Sequence, residues 1–130
     1  MQIATHQAIN QSWCGRPTEV EQGYSRVELT TMPSMAVDAS GLVHGGFIFG
    51  LADYAAMIAV NHPNVVLGAA DVKFLKPVKA GALVVAEARV QEVQGKKYWV
   101  SVSATQGAET VFQGMFTCFV LERHVLAPSS

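Results

Sequence analysis

Hydrophobic and polar positions alternate along the second half of this chain. Apolar residues fall at every second place in stretches that are separated by turn formers such as Gln94-Gly95 and Gln106-Gly107. This period is clear within residues 82–93 and 96–106 and is typical of strands with one buried face. Together with the turn signals, it predicts strands at residues 65–75, 82–93, 96–106 and 109–121. Residues 19–31 alternate more loosely and predict one earlier strand.

A different pattern occupies the middle of the chain. Gly45–Val60 is apolar throughout except for Asp53, and it ends just before Pro63, which disfavours continuation of a helix. A run of about 16 residues with a central carboxylate is shorter than the roughly 20 that cross a bilayer. It predicts a fully buried helix in a protein without a membrane span. Two apolar residues at helical spacing also predict a short helix within residues 1–13.

The predicted strands each have an apolar face that needs a partner. Short turns between consecutive strands favour an antiparallel meander, and the only element apolar enough to cover its inner face is the helix at 45–60. The pattern therefore predicts an α+β fold in which a sheet of about five strands wraps around one long buried helix.

Length and composition argue against several classes of protein. At 130 residues, the length predicts a single domain over residues 1–130 without a separate cofactor domain. The formal charge is −1, and no basic stripe is present, so nucleic-acid binding is not expected. Cys14 and Cys118 have no metal-ligand spacing, which predicts no metal or cofactor and two free thiols in the cytoplasm. No apolar signal-peptide segment is found near the first residues.

Candidate chemistry is concentrated at the buried helix. Gly45 and Gly46 begin it, so their N–H groups lie at the positive end of the helix dipole and can donate to a developing oxyanion. Asp53 is a carboxylate in apolar surroundings, where a raised pKa is expected. Since Gly45 and Asp53 are separated by about 12 Å along the axis, one helix cannot bring both to the same carbonyl group.

Two segments together resemble a known family over roughly residues 40–121. LVHGGFIFGLADYAAMIAVNHP and ADVKFLKPVKAGALVVAEARV are similar to the hotdog-fold acyl-CoA thioesterases, in particular the phenylacetate-pathway branch. The resemblance implies hydrolysis of an acyl- or arylacyl-CoA thioester to the free acid and CoA, with Asp53 as base or nucleophile, Gly45 as oxyanion donor and Gly46 beside the substrate. It also implies a homodimer or homotetramer with each active site at a subunit interface.

Three further positions are interpreted against this family. His44 either acts as a general base or caps the helix and holds the glycine turn, and the second role is favoured. Asp38, six residues before it, replaces an Asn that often positions the attacking water or the thioester. Leu67 approximately matches a position that is Ser or Thr in related enzymes. These departures leave the mechanism open.

Three lysines lie near the end of the predicted strand at 65–75 and just after it, without an intervening acid. Lys73, Lys76 and Lys79 either form a solvated strand end or bind the phosphates of coenzyme A. Lys76 and Lys79 flank the Pro77 turn and are the better candidates for phosphate binding.

Two other functions fit the same fold. The strand and turn in AADVKFLKPVKAG also resemble the effector domain of a bacterial lipid-synthesis repressor, which makes a non-catalytic acyl-CoA-sensing domain the first alternative. Asp53 favours catalysis over sensing. A hotdog enoyl-CoA hydratase is the second alternative, although the Asp-x-Asn-Pro-x-His pattern of those enzymes is absent here.

Overall fold

The structure, a computed structural model, describes residues 1–128. Its six strands form one antiparallel sheet in the order β1-β2-β4-β5-β6-β3. The elements, in chain order, are α1 (Gln11–Cys14), β1 (Arg16–Glu21), β2 (Tyr24–Thr30), a short 3-10 turn (Pro33–Met35), α2 (Gly45–Val60), β3 (Val65–Phe74), β4 (Leu83–Gln94), β5 (Lys97–Gln106) and β6 (Glu109–Val120).

Helix α2 forms the centre of the core. His44 caps its first turn, and Asn61 ends it in the left-handed conformation at φ 53°, two residues before Pro63. Nine of its side chains are buried, and they pack against the inner face of the sheet. The predicted helix over 45–60 and the sheet wrapped around it are confirmed, and this arrangement is the hotdog fold.

The number of strands differs from the expectation of about five. Residues 19–31 do not form one strand, because the chain reverses at Gln22-Gly23 and β1 pairs with β2 as a hairpin. Gly23 has φ +76°, a conformation that favours glycine. The short helix is also smaller than expected, since only Gln11–Cys14 is helical within the first part of the chain.

The order of the strands corrects the predicted meander. Of the four strands that follow α2, only β4, β5 and β6 are consecutive neighbours, whereas β3 pairs with β6 and lies at the edge of the sheet. The segment after Phe74 therefore crosses to β4 rather than forming a hairpin with it. The two edges of the sheet are β1 and β3. Among residues 1–128, no helix has the length and hydrophobicity needed to span a membrane.

Candidate active site

Asp53 is a carboxylate without a hydrogen-bond partner. The residue is half-buried, while its Oδ1 atom is inaccessible to solvent and accepts no hydrogen bond from any residue within 1–128. Burial raises the pKa of this carboxyl group from 3.8 to about 6. A shift of this size corresponds to a cost of about 3 kcal/mol for holding the charge in this environment at neutral pH. A carboxyl group that remains buried despite this cost is a candidate functional group.

The first turn of α2 presents one free donor. His44 Nδ1 accepts a hydrogen bond from the Gly46 N–H at 2.8 Å, which is the capping arrangement expected from the sequence. The Gly45 N–H has no partner among the described residues. A Cβ at Gly46 would lie 2.8 Å from His44 Nδ1, so this glycine makes room for the cap. Of the two glycine N–H groups, Gly45 is therefore the one available to a ligand.

The face of α2 that carries Asp53 is open toward the start of the helix. Gly46, Gly50 and Asp53 follow one another at spacings of four and three residues, which places them on one side of an α-helix. A Cβ built on Gly50 would meet nothing within 4 Å. On the next turn, Met57 is only 1% exposed. The open part of this face therefore runs from Asp53 toward Gly46.

Both cysteines lie within the electrostatic influence of Asp53. Burial first, and the Asp53 carboxylate second, raise the pKa of the Cys14 thiol and that of the Cys118 thiol, the latter to about 12. Cys14 belongs to the short helix α1 and Cys118 to β6, so the Asp53 charge reaches side chains of both elements. Neutral thiols are weak donors and leave the carboxylate without a strong partner.

A cleft opens at the other flank of the helix start. Its volume is about 290 Å³, and its lining includes Gly45, Phe74 and Lys76. Phe74 is 55% exposed, and a Cβ at Gly45 would lie 3.2 Å from its ring. The structure thus brings the free N–H of Gly45 beside an apolar surface and a cation. Phe74 was not assigned a site role from the sequence, although an exposed aromatic residue at a strand end is a usable signal.

The remaining lysines lie farther from Gly45. The stem of Lys79 passes over Gly41, at the tip of the loop before α2, because a Cβ at Gly41 would lie 3.6 Å from Lys79 Cγ. Lys73 is opposite Gln113 on β6. Lys73, Lys76 and Lys79 are exposed, and none forms an ion pair among residues 1–128.

Asp38 is located in the loop that precedes α2 and points into its own turn. Its Oδ1 accepts hydrogen bonds from the Ser40 hydroxyl at 2.6 Å, the Ser40 N–H at 3.0 Å and the Leu42 N–H at 3.4 Å. These bonds, that from the Ser40 hydroxyl above all, lower the pKa of Asp38. Neither Asp38 nor Asp53 contributes to the pKa shift of the other, so the structure does not bring the two carboxylates together within one chain.

Residues 1–128 contain no group of three His, Cys, Asp or Glu side chains that could hold a metal ion. The open elements of the site are thus one carboxylate, one backbone N–H, and a cleft with an exposed lysine at its rim. This set can activate a water or attack a carbonyl carbon, and it can stabilise an oxyanion.

Comparisons with known proteins agree on the family but not on a function. A sequence profile described as the thioesterase superfamily matches residues 40–112. Methylthioribose-1-phosphate isomerase from Aquifex aeolicus is 54% identical over 123 residues, which cover 94% of this chain and 27% of that protein. Transcription factor FapR from Caldanaerobacter subterraneus is 34% identical over 89 residues, covering 68% of this chain and 44% of that protein. The chain therefore spans less than half the length of either relative.

Solved structures show the same fold. An uncharacterized protein from Pyrococcus horikoshii is 51% identical, covers 98% of both chains and superposes with a TM-score of 0.97. The PaaI protein of the Escherichia coli phenylacetic acid degradation operon is 24% identical, with a TM-score of 0.74 over 80% of this chain and 81% of that one. At that identity, the second comparison concerns the fold alone. The profile match covers more than half of the chain, and the chain belongs to the thioesterase superfamily.

Proposed function

We propose that the protein is an acyl-CoA thioesterase that hydrolyses an acyl- or arylacyl-CoA to the free acid and CoA. The single observation that carries this proposal is the unpartnered Asp53 carboxylate on the open face of α2. A carboxyl group with a pKa near 6 is largely ionised at neutral pH and is still a stronger base than an ordinary aspartate. In one route Asp53 takes a proton from the attacking water, the C–S bond breaks, and the proton passes to the departing CoA thiolate. In the other route Asp53 attacks the thioester and expels CoA, and water then hydrolyses the resulting acyl–Asp53 anhydride to the free acid.

The free Gly45 N–H is the proposed oxyanion donor. It lies at the positive end of a 16-residue helix, and the absence of a side chain lets a carbonyl oxygen approach closely. Eight residues separate it from Asp53, which is a rise of about 12 Å, so one carbonyl group cannot contact both in the same chain. A second copy of the chain must supply one of them. Gly46 is exposed beside this donor and borders the same substrate path.

The free edge of β3 is the proposed dimer contact. This ten-residue edge strand begins with a continuous run of apolar residues and glycine over 65–70 and has no charged residue before Asp71. Such an edge readily pairs with another strand. The opposite edge strand β1, with sequence RPTEVE, has Pro17 and three charged residues that disfavour pairing. We therefore infer a dimer joined through β3, alone or within a tetramer.

The lysines beside the cleft are the proposed binding site for the phosphates of CoA. Lys76 lines the cleft that contains Gly45, and Lys79 lies over the adjacent loop. Their lack of acidic partners among the described residues leaves both charges available to an anion. The two free thiols, Cys14 and Cys118, support a reducing compartment such as the cytoplasm.

A non-catalytic acyl-CoA sensor is the second candidate, supported by the 34% identity to a transcription factor. Measuring turnover and binding of a panel of acyl-CoA substrates distinguishes the thioesterase from the sensor. Release of CoA is followed by chromatography, since the chain's own thiols would react with a thiol reagent. A thioesterase turns over at least one substrate and loses this activity in Asp53→Asn. Tight binding of one acyl-CoA without turnover of any would support the sensor and contradict the thioesterase.

A further inference from the structure

The first residues of the chain lie along α2 in the opposite direction. We call residues 2–14 the N-terminal strap. Asn61, at the end of α2, accepts a hydrogen bond from the Ala4 N–H at 2.7 Å and donates one to the Gln2 carbonyl at 2.9 Å. Farther along, the ring centroid of His6 lies 6.4 Å from that of Tyr54. The strap reaches the first turn of α2 at Trp13, which stacks on Phe47. It therefore runs beside the helix for nearly its whole length.

Specific bonds fix the strap at its exit. Asn10 caps α1 by accepting a hydrogen bond from the Ser12 N–H at 2.9 Å. Gly15 follows with φ +102°, and a Cβ there would lie 2.8 Å from Val27 and 2.9 Å from Leu51. The chain thus passes closely between β2 and α2 directly after the strap. Trp13 is consequently held in place by the fold on both sides of it.

Trp13 is partly exposed even though it is a large apolar side chain. Its indole stacks on the Phe47 ring with 5.4 Å between centroids and 25° between planes, and 37% of the residue remains accessible. Phe47 in turn presents its ring edge-on to His44, at 6.2 Å and 81°. The three rings form a row beside the first turn of α2. This row borders the open end of the face that leads to Asp53.

The open face of α2 leads from Asp53 toward this row of three rings. Beyond Asp53 the face is closed by the buried Met57, whereas toward the helix start it is open at Gly50. Phe47 precedes Asp53 by six residues, which is about 9 Å along the axis and about a third of a turn around it, and the open position Gly50 lies between the two. An apolar group attached to a carbonyl at Asp53 can therefore extend over Gly50, away from the buried Met57. It approaches the Trp13–Phe47 pair as it becomes longer.

We propose that Trp13 is a specificity-determining residue that limits the length of the acyl group this site accepts. This inference rests on the proposed thioesterase function and extends it to substrate selection. The acyl chain lies along the open face of α2, and the indole closes the far end. Short acyl groups fit in front of the indole, and longer ones collide with it.

The test measures kcat/KM for straight-chain substrates from acetyl-CoA to dodecanoyl-CoA. In Trp13→Ala the preference is expected to move to longer chains, and the ratio of long-chain to short-chain kcat/KM is expected to rise roughly tenfold or more. Trp13→Phe, which keeps an aromatic ring on Phe47, is expected to give an intermediate profile. Gln11→Ala is the matched control, because Gln11 is exposed on the same short helix and lines a groove beside Arg16 instead.

Two results would overturn the inference. One is an unchanged chain-length profile in folded Trp13→Ala. The other is an equal loss for every substrate together with weaker binding of free CoA, which would place the CoA portion rather than the acyl group against the indole. Trp13→Phe keeps the test valid if Trp13→Ala does not fold.

A binding measurement separates this inference from the proposed catalysis. The chain has two tryptophans, so Trp99→Phe leaves Trp13 as the only indole reporter. In the Trp99→Phe, Asp53→Asn double variant, the emission change on acyl-CoA binding is expected to increase with chain length up to the longest acyl group that still binds. A length-dependent signal without any turnover by the parent protein would contradict the thioesterase but support the role of Trp13. No response to any acyl length would contradict the role of Trp13, whatever the turnover.

Discussion

Gly45 and Asp53 stand on the same helix, eight residues apart, and each is left without a hydrogen-bond partner among the described residues. The helix holds them about 12 Å apart along its axis. One is a donor at the positive end of the helix, and the other is a base with a raised pKa. The two groups have complementary chemistry for thioester hydrolysis, and rigid geometry prevents them from acting on one carbonyl within one chain.

Replacing the carboxylate tests its chemical role. Asp53→Asn keeps the size of the side chain and is expected to lower thioester turnover by at least about 100-fold, the lower range for the loss of a general base. Glu109→Gln, which removes an exposed carboxylate at the start of β6, is the control and is expected to retain activity. Near wild-type kcat in Asp53→Asn would exclude Asp53 as base or nucleophile.

The raised pKa of Asp53 also predicts how stability depends on pH. Between pH 3.8 and about 6 the folded state binds more protons than the unfolded state, so the free energy of unfolding falls as the pH rises through this window. The Asp53→Asn variant lacks this pH-dependent contribution to the free energy of unfolding. Its stability relative to the wild type is therefore expected to increase by roughly 2 kcal/mol between pH 4 and pH 7.

Urea unfolding of both proteins across this range measures the effect. Other titrating groups, such as His6 with its pKa lowered by burial, are common to the two proteins and cancel in the difference. Any change in packing caused by the amide shifts the difference by the same amount at every pH. A difference that stays constant from pH 4 to pH 7 would show that the carboxylate is not desolvated.

The loop carboxylate is expected to be replaceable. In Asp38→Asn the remaining Oδ1 still accepts the three hydrogen bonds from Ser40 and Leu42. Since surface substitutions change free energies by about 0.5 kcal/mol, kcat is expected to stay within about threefold of the wild type. The pH–rate profile is expected to be unchanged as well. Loss of activity in this variant, together with retained activity in Asp53→Asn, would identify Asp38 as the base.

Local sequence patterns predict most of the helices and strands, but they do not predict which strands lie beside one another. The apolar run at 45–60 predicts α2 because no other pattern explains so many successive buried residues. The turn at Gln22-Gly23 has the same composition as the recognised turns at Gln94-Gly95 and Gln106-Gly107. It was missed because the alternation on either side of it continues without a visible break. A local pattern specifies strands more readily than the turns between them.

Pairings between distant parts of the chain could not be predicted in this way. Strand β3 pairs with β6, about 50 residues later, and alternation within β3 carries no information about which strand lies beside it. The same holds for Trp13, whose contact with Phe47 depends on the path of the strap along α2. The candidate carboxylate Asp53 was recognisable because a charge in an apolar run is locally unusual. The aromatic residues beside it were not recognisable as site residues, because aromatic side chains are common in a hydrophobic core.

The most direct test of the shared site removes each group from a different subunit. Proline at position 45 deletes the proposed donor, because it has no N–H. Proline is favoured at the first residue of a helix, and His44 already has the extended conformation that precedes proline, with φ −62° and ψ 131°. Gly45→Pro is therefore expected to fold and to lose about 100- to 1,000-fold in kcat, as expected for one oxyanion donor.

Mixing this variant with Asp53→Asn tests whether the site is shared. Each parent dimer carries a lesion in both of its sites and is expected to be inactive. In a mixed dimer with shared sites, one site contains both lesions and the other contains neither, so activity returns to about half the wild-type value per mixed dimer. Mass spectrometry shows that mixed dimers have formed. If they have and activity does not return, Gly45 and Asp53 do not act together across the interface.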